Sequence, residues 1–593
     1  MTALRSFDPT AVLRRSFFVF VLLLGLASQL QAASRPNVLL IVTDDQGYGD
    51  FGFTGNPQIE TPNLDKLAAK SVRFDRFYVT PFCAPTRAAL LTGRYPLRGG
   101  VHGVARGEET MRSDETTMAE VLRKAGYRTG IFGKWHNGEN YPYTPNGQGF
   151  EEALGFNLGH WNNYFNPRLR HNAEWVTKEG WITDVLTEAA EEFIEQHKSE
   201  PWFCYLSFNA PHSPFQCPDR EFARYKAKGL DDTTAAVYGM CDNIDKNVGA
   251  LLGKLDEWQL SENTLVLFLT DNGPATVRFN SGLRGKKATL YEGGSRTPLL
   301  IHWPAKIKEP RVVSTLAHAI DILPTVTELL GVKPRTNFPL DGRSLVPLLQ
   351  SDKPNWPERE IFIQNFARQD LQRTQGCVVT QRFAAVNPGR GWELYDLEKD
   401  PGQQNNLAAG SGDSRMILDD LTSKFERWWS QTSAGVIVDR PPVPVGHDAE
   451  PIVEASAAQA ELLGGLKYCN KAPNNAWITG WEGADAHATW TINAPAPGTY
   501  ELGIAFTRDN AEPALKLRAE TGGEAVETTV PQIPAKVRPM PDRVPRSEAA
   551  DMEWQTLPIG RLKLTGGDQT VTVRLTAPDA SFALKLITLQ VAK

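Results

Sequence analysis

Continuously apolar runs alternate with helical patterns along residues 36–330, and this alternation limits the possible folds more than any other feature of the sequence. Val38-Leu-Leu-Ile-Val42 precedes a helical pattern over 63–74, where Thr61-Pro62 predicts an N-cap and a proline at the first helical position. Runs that are apolar at every position are typical of strands buried on both faces. We therefore predict an α/β fold with a large, mostly parallel sheet between helices, whose ligands lie beyond the carboxyl ends of the strands.

The pattern changes twice further along the chain. Up to residue 330, predicted helices at 118–125, 183–196, 234–258 and 320–330 alternate with predicted strands at 129–132, 203–208, 265–269 and 299–302. From about 355 to 430, β-type runs at 360–363, 377–380 and 393–397 precede a helical pattern, which indicates a small antiparallel sheet with one helix. Beyond a proline-rich stretch, short strands at 488–492, 498–502, 514–517, 571–575 and 584–587 indicate an all-β sandwich.

These changes divide the chain into predicted segments: an export signal at 1–33, the α/β domain at 34–350, its small C-terminal subdomain at 351–440, a stiff linker at 441–446 and a β-sandwich at 447–593. Domains joined by such a linker often fold independently. We therefore expect the sandwich to be an accessory module, with the catalytic unit complete before it.

The first 33 residues predict export. Arg5, Arg14 and Arg15 precede an apolar run at 16–27 and then small residues, which is the order of a secretory signal. No comparable second run follows, so we expect no stable membrane anchor. The sequence has no Asn-x-Ser/Thr acceptor for N-glycosylation, which favours a bacterial protein of the periplasm or the extracellular space.

Charge and cysteine usage exclude two classes of protein. Among 593 residues, 63 basic and 69 acidic side chains give a net charge of −6, so the chain is not a polybasic nucleic-acid binder. Six cysteines in a chain of this length are too sparse for a disulfide scaffold, and none has the Cys-x-x-Cys spacing of a zinc site.

Polar residues follow two of the predicted strands in nearly the same pattern. Asp44-Asp45 comes after the first strand, and Asp271-Asn272 after the strand at 265–269. In a parallel sheet both pairs would reach the same edge, where three carboxylates would repel one another without a cation. Ligands that are all oxygen favour Ca²⁺ or Mg²⁺ over zinc. The alternative is that each pair only caps the segment that follows.

A cysteine begins the most specific motif of the chain, Cys83-x-Pro85-x-Arg87 with Thr92-Gly93 after it. The composition gives about 0.04 accidental matches to Cys-x-Pro-x-basic in the whole sequence. The alternative is a small cysteine buried in the core.

This motif resembles the signature of the formylglycine-dependent sulfatases of the alkaline phosphatase superfamily. The resemblance extends over roughly residues 36 to 430, through segments in the family's order: 133–136 (Gly-Lys-Trp-His), 210–214 (Ala-Pro-His-Ser-Pro), 283–287 (Leu-Arg-Gly-Lys-Lys), 291–298 and 394–397 with Asp400-Pro401. One departure is Lys286, where related sequences often have Gly; Lys287 fits the spacing better.

The resemblance implies a role for each of these residues. Cys83 would be converted to formylglycine by a formylglycine-generating enzyme, and the hydrated aldehyde would be the nucleophile. Arg87 would orient it. The expected ligands of the Ca²⁺, or of Mg²⁺ in its place, are Asp44, Asp45, Asp271, Asn272 and the modified Cys83. Residues expected to bind sulfate oxygens or to move protons are Lys134, His136, His212 and Lys287, with His212 protonating the leaving alcohol and His136 assisting regeneration.

The expected function is that of an exported sulfatase acting on a sulfated carbohydrate or an aryl sulfate. His102, Arg106 and the aromatic loop 160–165, which contains Trp161, are further candidates for the substrate pocket; the alternative is that they are ordinary surface-loop residues. Two alternatives remain open: a phosphonate or phosphodiester hydrolase of the same superfamily, and a non-catalytic protein that binds sulfated glycans and keeps Cys83 as a thiol.

Overall fold

The computed structural model describes residues 35–351, 353–365, 375–436, 440–471, 473–511 and 514–592. The predicted export signal at 1–33 lies outside these residues. Within the described ranges, no helix combines the length and the apolar character needed to cross a bilayer.

A mixed sheet, eleven-stranded as far as the chain is described, forms the centre of the N-terminal domain. Its strands in spatial order are Arg311–Val313, Val72–Tyr78, Arg296–His302, Thr264–Thr270, Asn37–Thr43, Trp202–Ser207, Arg128–Lys134, Glu152–Phe156, Arg168–His171 and Glu174–Thr177, with Ala317–His318 also paired to Val72–Tyr78. The five strands from Thr264–Thr270 to Glu152–Phe156 are parallel, and antiparallel pairs flank them. The prediction of a large, mostly parallel sheet is confirmed.

Helices cover both faces of this sheet. Those of the N-terminal domain are Pro62–Lys70, Cys83–Thr92, Met118–Lys124, Ile182–Gln196, Asp219–Lys226, Asp232–Glu257, Glu292–Ser295, Ile322–Leu329 and Val346–Gln350. Successive side chains of the strand Asn37–Thr43 point to opposite faces: Val38 and Leu40 enter one apolar cluster, and Leu39 and Ile41 the other. The uninterrupted apolar run in the sequence reflects this burial on both faces.

One predicted element is too long. The helix expected over 63–74 ends at Lys70, and Val72–Tyr78 is a strand. Val72 and Phe74 are buried and pair antiparallel with Ile301 and Leu299. Pairing with a strand more than 200 residues away therefore decides the structure of this segment, against the local helical period.

The small C-terminal subdomain has a four-stranded antiparallel sheet in its described part: Ile361–Gln364, Gln375–Val379, Phe383–Pro388 and Glu393–Asp396. The helix Asp413–Ser433 packs on it through Phe425 and Trp428, as predicted. The strand Phe383–Pro388 was not predicted, because its alanines and terminal proline give a weak β signal.

The C-terminal region is an all-β sandwich with two sheets of six described strands each. One contains Val443–Pro444, Glu461–Leu463, His487–Ala494, Leu515–Thr521, Glu524–Val530 and Gly567–Leu575; the other contains Ile452–Ser456, Lys467–Tyr468, Ile478–Thr479, Gly498–Arg508, Gln555–Leu564 and Phe582–Val591. A small pair, Lys536–Val537 and Met552–Glu553, lies outside them.

The sandwich packs directly against the N-terminal domain. Within the predicted linker, Val443 and Pro444 form a short strand beside His487–Ala494. Across the domain boundary, the Arg170 guanidinium pairs with Glu450 at 2.7 Å and with Glu454 at 3.0 Å. The two parts therefore share a polar, partly buried interface.

Alanine substitutions at two glycines, one in the sheet and one on an exposed helix face, test the packing of the strands. A Cβ at Gly155 would lie 1.9 Å from the carbonyl oxygen of Gly133 on the neighbouring strand, whereas a Cβ at Gly253, on the exposed face of Asp232–Glu257, would meet nothing within 4 Å. We expect Gly155→Ala to destabilise the fold by about 3 kcal/mol, because backbone atoms must move. Gly253→Ala should stabilise it by about 0.5–1 kcal/mol. Thermal unfolding midpoints measure both, and an unchanged midpoint in Gly155→Ala would contradict the strand packing.

Candidate active site

Two neighbouring strand ends bring four oxygen-bearing side chains together. Asn37–Thr43 and Thr264–Thr270 are parallel, and Thr43 pairs with Thr270, so the residues after them are adjacent. The Asp45 backbone N–H donates to Asp271 Oδ1 at 3.2 Å, and Asn272 Nδ2 donates to Asp45 Oδ1 at 2.8 Å. All four side chains, including Asp44, are buried. The structure thus brings both predicted pairs to one edge of the sheet.

Each of the three carboxylates has one cationic partner. Lys134 Nζ lies 2.5 Å from Asp44 Oδ2, Arg87 Nη2 lies 2.8 Å from Asp271 Oδ2, and Lys287 Nζ lies 2.6 Å from Asp45 Oδ1. The neighbouring Lys286 is exposed, and its Nζ donates to the carbonyl of Ala275 at 3.1 Å. Lys287 is therefore the lysine of this pair that reaches the cluster.

The charge balance shifts the pKa values of the carboxyl groups in different directions. Burial and the nearby Asp44 raise the pKa of Asp271 to about 7, although Arg87 opposes this. Burial also acts to raise the pKa of Asp45, but Lys287 and His212 outweigh it and hold that pKa below its usual value. The cluster is thus crowded with negative charge that further positive charge would stabilise.

Cys83 is the first residue of the helix Cys83–Thr92 and is only 3% exposed. Its Sγ and one carboxylate oxygen each of Asp44 and Asp271 all lie within 4.8 Å of one another. Burial raises the pKa of the thiol, against the effect of Lys134 and Lys287, so the unmodified side chain is a neutral thiol at pH 7.

Arg87 links this helix to the sheet. Besides its bond to Asp271, its Nη1 donates to the carbonyl of Lys134 at 3.1 Å and to the hydroxyl of Ser207. The guanidinium therefore ties together the ends of three strands and the helix that carries Cys83.

Two buried side-chain oxygens indicate where a cation fits. Among the described residues, Asp44 Oδ1 and Asn272 Oδ1 are buried and have no hydrogen-bond partner. Buried oxygen atoms without partners are unfavourable unless something binds them. Carboxylate and amide oxygens are ligands of Ca²⁺ and Mg²⁺, so this donor set fits a hard divalent cation.

Two histidines lie beside the cluster, each bound to a backbone carbonyl. His136 Nε2 is 2.9 Å from the carbonyl of Val104, and among the described residues its buried Nδ1 has no partner. His212 Nδ1 is 2.6 Å from the carbonyl of Ser213, and its Nε2 is 3.7 Å from Asp45 Oδ2. A carbonyl accepts only from a ring N–H, which assigns one tautomer to each neutral ring.

Both rings are uncharged near neutral pH. Burial, and then Lys287, lower the pKa of His212 to about 4. Burial, and then Lys134, lower the pKa of His136 well below its usual range. Each neutral ring therefore has its proton on the nitrogen that bonds the carbonyl, and its other nitrogen is an acceptor.

The other two predicted substrate residues line different cavities. His102, whose Nδ1 bonds the Gly100 carbonyl at 2.8 Å, lines one together with residues 434–436 and 440–442. Trp161 stacks between Phe156 and Trp175 in a cavity of about 200 Å³ between the N-terminal domain and the sandwich. A substrate role for either residue stays a prediction.

His160 belongs to the same loop as Trp161, which the sequence offers as a candidate for the substrate pocket. Its ring stacks on that of His212 with centroids 5.9 Å apart, and its buried Nε2 has no partner among the described residues. His160 follows the parallel strand Glu152–Phe156, and this places it at the edge of the sheet where ligands of such folds bind.

Comparison with known proteins agrees with this geometry. The family model described as Sulfatase matches residues 36–332, and the model for the C-terminal part of N-sulphoglucosamine sulphohydrolase matches residues 284–431. The β-sandwich lies beyond both matches.

Individual relatives give the same result. The chain is 34% identical to arylsulfatase A of Homo sapiens over 456 residues, covering 66% of this chain and 86% of the relative. It is 34% identical to N-acetylgalactosamine-6-sulfatase of Mus musculus over 368 residues, 56% of this chain and 69% of the relative. The crystal structure of Ps i-CgsB in complex with k-i-k-neocarrahexaose has a TM-score of 0.62 at 30% identity, covering 68% of this chain and 95% of that one. The chain therefore belongs to the sulfatase family and is a sulfuric ester hydrolase.

Proposed function

We propose that this protein is an exported sulfatase that hydrolyses sulfate esters of carbohydrates or aryl alcohols, with a formylglycine made from Cys83 and a divalent cation. The observation that carries the proposal is the position of Cys83: it begins a buried helix and has its Sγ beside Asp44 and Asp271. Export rests on the signal-like pattern of residues 1–33.

Conversion of Cys83 has a chemical reason. Its raised thiol pKa leaves little thiolate at neutral pH, and a sulfur adduct would break down slowly. A hydrated aldehyde has two hydroxyl groups. One attacks the ester sulfur as the alcohol leaves; loss of the proton from the other then expels sulfate, regenerates the aldehyde and allows water to hydrate it again. The formylglycine-generating enzyme is the partner this requires.

Asp44, Asp45, Asp271 and Asn272 would hold the cation, because they lie together at one buried edge of the sheet and, among the described residues, Asp44 Oδ1 and Asn272 Oδ1 have no hydrogen-bond partner. When bound, the cation supplies positive charge that acidifies the hydrate and attracts a sulfate oxygen. Without it, three carboxylates and three cationic side chains leave no net positive charge for an anionic ester.

The chain's own side chains then bind and move protons. Lys134 and Lys287 are cationic and adjacent to the cluster, so they suit binding of sulfate oxygens. Arg87, fixed by Asp271 and Ser207, suits orientation of the residue at position 83. His212 and His136 each have one unprotonated ring nitrogen; His212 Nε2 would first take up a proton and then give it to the leaving alcohol, and His136 Nδ1 would assist regeneration as a proton acceptor.

A carbohydrate substrate is supported by two of the comparisons. One relative is named N-acetylgalactosamine-6-sulfatase, and one solved structure holds a neocarrahexaose. A sulfated saccharide, more than a small aryl sulfate, is therefore the proposed natural substrate.

The substrate class is tested by comparing the turnover of an aryl sulfate and an aryl phosphonate that have the same leaving group. We expect 4-nitrophenyl sulfate and sulfated saccharides to be hydrolysed, with kcat/KM for the aryl sulfate at least about 100-fold above that for an aryl phosphonate. A sulfate ester presents three terminal oxygens to the cationic groups of the site, whereas a phosphonate ester presents two oxygens and a carbon. Release of nitrophenol measures the aryl esters, and ion chromatography measures sulfate. A preference for the phosphonate would overturn the proposal.

Cys83→Ala should abolish turnover, a fall of at least about 10⁴-fold, because it removes the nucleophile. Peptide mass spectrometry of the active wild type should find the mass of formylglycine at position 83 and unmodified thiols at the other five cysteines. The buried Cys204→Ala is the matched control and should keep activity. Full activity in folded Cys83→Ala would contradict the mechanism.

Removal of divalent ions with a chelator should eliminate activity, and Ca²⁺ should restore it at least as well as Mg²⁺, because the proposed ligands are all oxygen. Asn272→Ala should raise the Ca²⁺ concentration needed for half-maximal recovery about 10-fold or more. Activity that persists in protein shown by elemental analysis to be metal-free would exclude this role.

A further inference from the structure

Two residues of the C-terminal β-sandwich reach the two loops whose carbonyls bond the active-site histidines. They are Asn474 and Glu548, each only 8% exposed. Both lie beyond residue 431, where the match to the sulfatase family models ends. The sandwich therefore contacts the active-site region with residues that the shared family sequence does not supply.

The first contact reaches His136. Asn474 Nδ2 donates to the Val104 carbonyl at 2.9 Å, and this same oxygen lies 2.9 Å from His136 Nε2. A Cβ at Gly159 would lie 2.4 Å from Asn474 Nδ2 and 2.7 Å from His136 Nε2. The asparagine, the glycine and the histidine are therefore closely packed around one carbonyl oxygen.

The second contact reaches His212. Glu548 accepts a hydrogen bond from the Ser213 hydroxyl, and the Ser213 carbonyl lies 2.6 Å from His212 Nδ1. Tyr164 donates its hydroxyl to the same loop, 2.9 Å from the carbonyl of Ser213. Glu548 is itself held by Ser547, whose N–H donates to it at 3.2 Å. The carboxylate thus fixes the residue that accepts from the His212 ring.

Other contacts hold this part of the sandwich against the N-terminal domain. Arg546 Nη1 donates to the Asn162 carbonyl at 3.0 Å, and Gln216 Nε2 donates to Asp542 at 2.8 Å. Together with the Arg170 ion pairs, they restrict the movement of Asn474 and Glu548 relative to the histidines.

We propose that the β-sandwich positions both active-site histidines, with Asn474 acting on His136 through the Val104 carbonyl and Glu548 acting on His212 through Ser213. Each contact fixes the carbonyl that accepts from the ring, and so fixes which ring nitrogen faces the reacting groups. The sandwich is then part of the catalytic unit, and the expectation of a separable accessory module gives way to this proposal. The inference rests on the proposed sulfatase function.

The test is a pair of double-mutant cycles in the full-length protein with 4-nitrophenyl sulfate. Asn474→Ala should lower kcat between about 10-fold and 100-fold with little change in KM, because the ring is misplaced while sulfate binding remains. In a His136→Ala background the same change should have no further effect. An equal fall in kcat in the wild-type and His136→Ala backgrounds would overturn the proposal for Asn474.

Glu548 is tested in the same way against His212→Ala, with a conservative variant beside it. Glu548→Ala should lower kcat, whereas Glu548→Gln should keep most of it, because an amide oxygen still accepts from Ser213. Controls within the sandwich are Asn493→Ala and Glu501→Gln, whose side chains bond Asp568 and Arg561. Equal losses in the controls, or in both Glu548 variants, would contradict positioning.

A second measurement is independent of turnover. In protein labelled with ¹⁵N-histidine, Asn474→Ala should shift the ring-nitrogen signals of His136, and Glu548→Ala those of His212, while the controls leave both unchanged. Unchanged ring signals in both variants would overturn the proposal. Wild-type protein without sulfate-ester turnover would refute the proposed function instead, and the ring signals would still test the positioning.

Discussion

Three buried carboxylates at the carboxyl edge of the sheet, each paired with one buried or half-buried cation, are the interaction on which the rest of the site depends. Burying a charge costs several kcal/mol unless it is paired and hydrogen-bonded. The pairs Lys134–Asp44, Arg87–Asp271 and Lys287–Asp45 meet this condition. Within the described part of the chain, Asp44 Oδ1 and Asn272 Oδ1 have no hydrogen-bond partner, which suits binding of a hard cation.

This pairing also orders the surrounding elements. Because Arg87 bonds Asp271, Ser207 and the Lys134 carbonyl, the helix that begins at Cys83 has a fixed position against three strand ends. The side chain at position 83 therefore lies against the carboxylates with little freedom. A rigid scaffold of this kind supports chemistry in which the nucleophile must be preorganised.

The histidines depend on a different kind of support. Each bonds a carbonyl in a loop, and loops are held less firmly than strands. Asn474 and Glu548 contact these two loops from the sandwich, across an interface that also contains the Arg170 ion pairs. The β-sandwich, which lies beyond the residues matched by the family models, thus completes the packing around two histidines that lie within the matched residues.

The sequence by itself determined the class of the fold and the centre of the site. Uninterrupted apolar runs specify strands buried on both faces, and the register of parallel strands then brings Asp44-Asp45 beside Asp271-Asn272. The spacing of the motif at Cys83 singled out this cysteine, and the resemblance to the sulfatases then predicted roles for Arg87, Lys134, His136, His212 and Lys287. Only the tertiary structure decided that the helix before Val72–Tyr78 ends at Lys70, that Trp161 lines a cavity between domains and that Asn474 and Glu548 contact the loops that bond the histidines. These depend on contacts between residues far apart in the chain, and no local periodicity encodes such a contact.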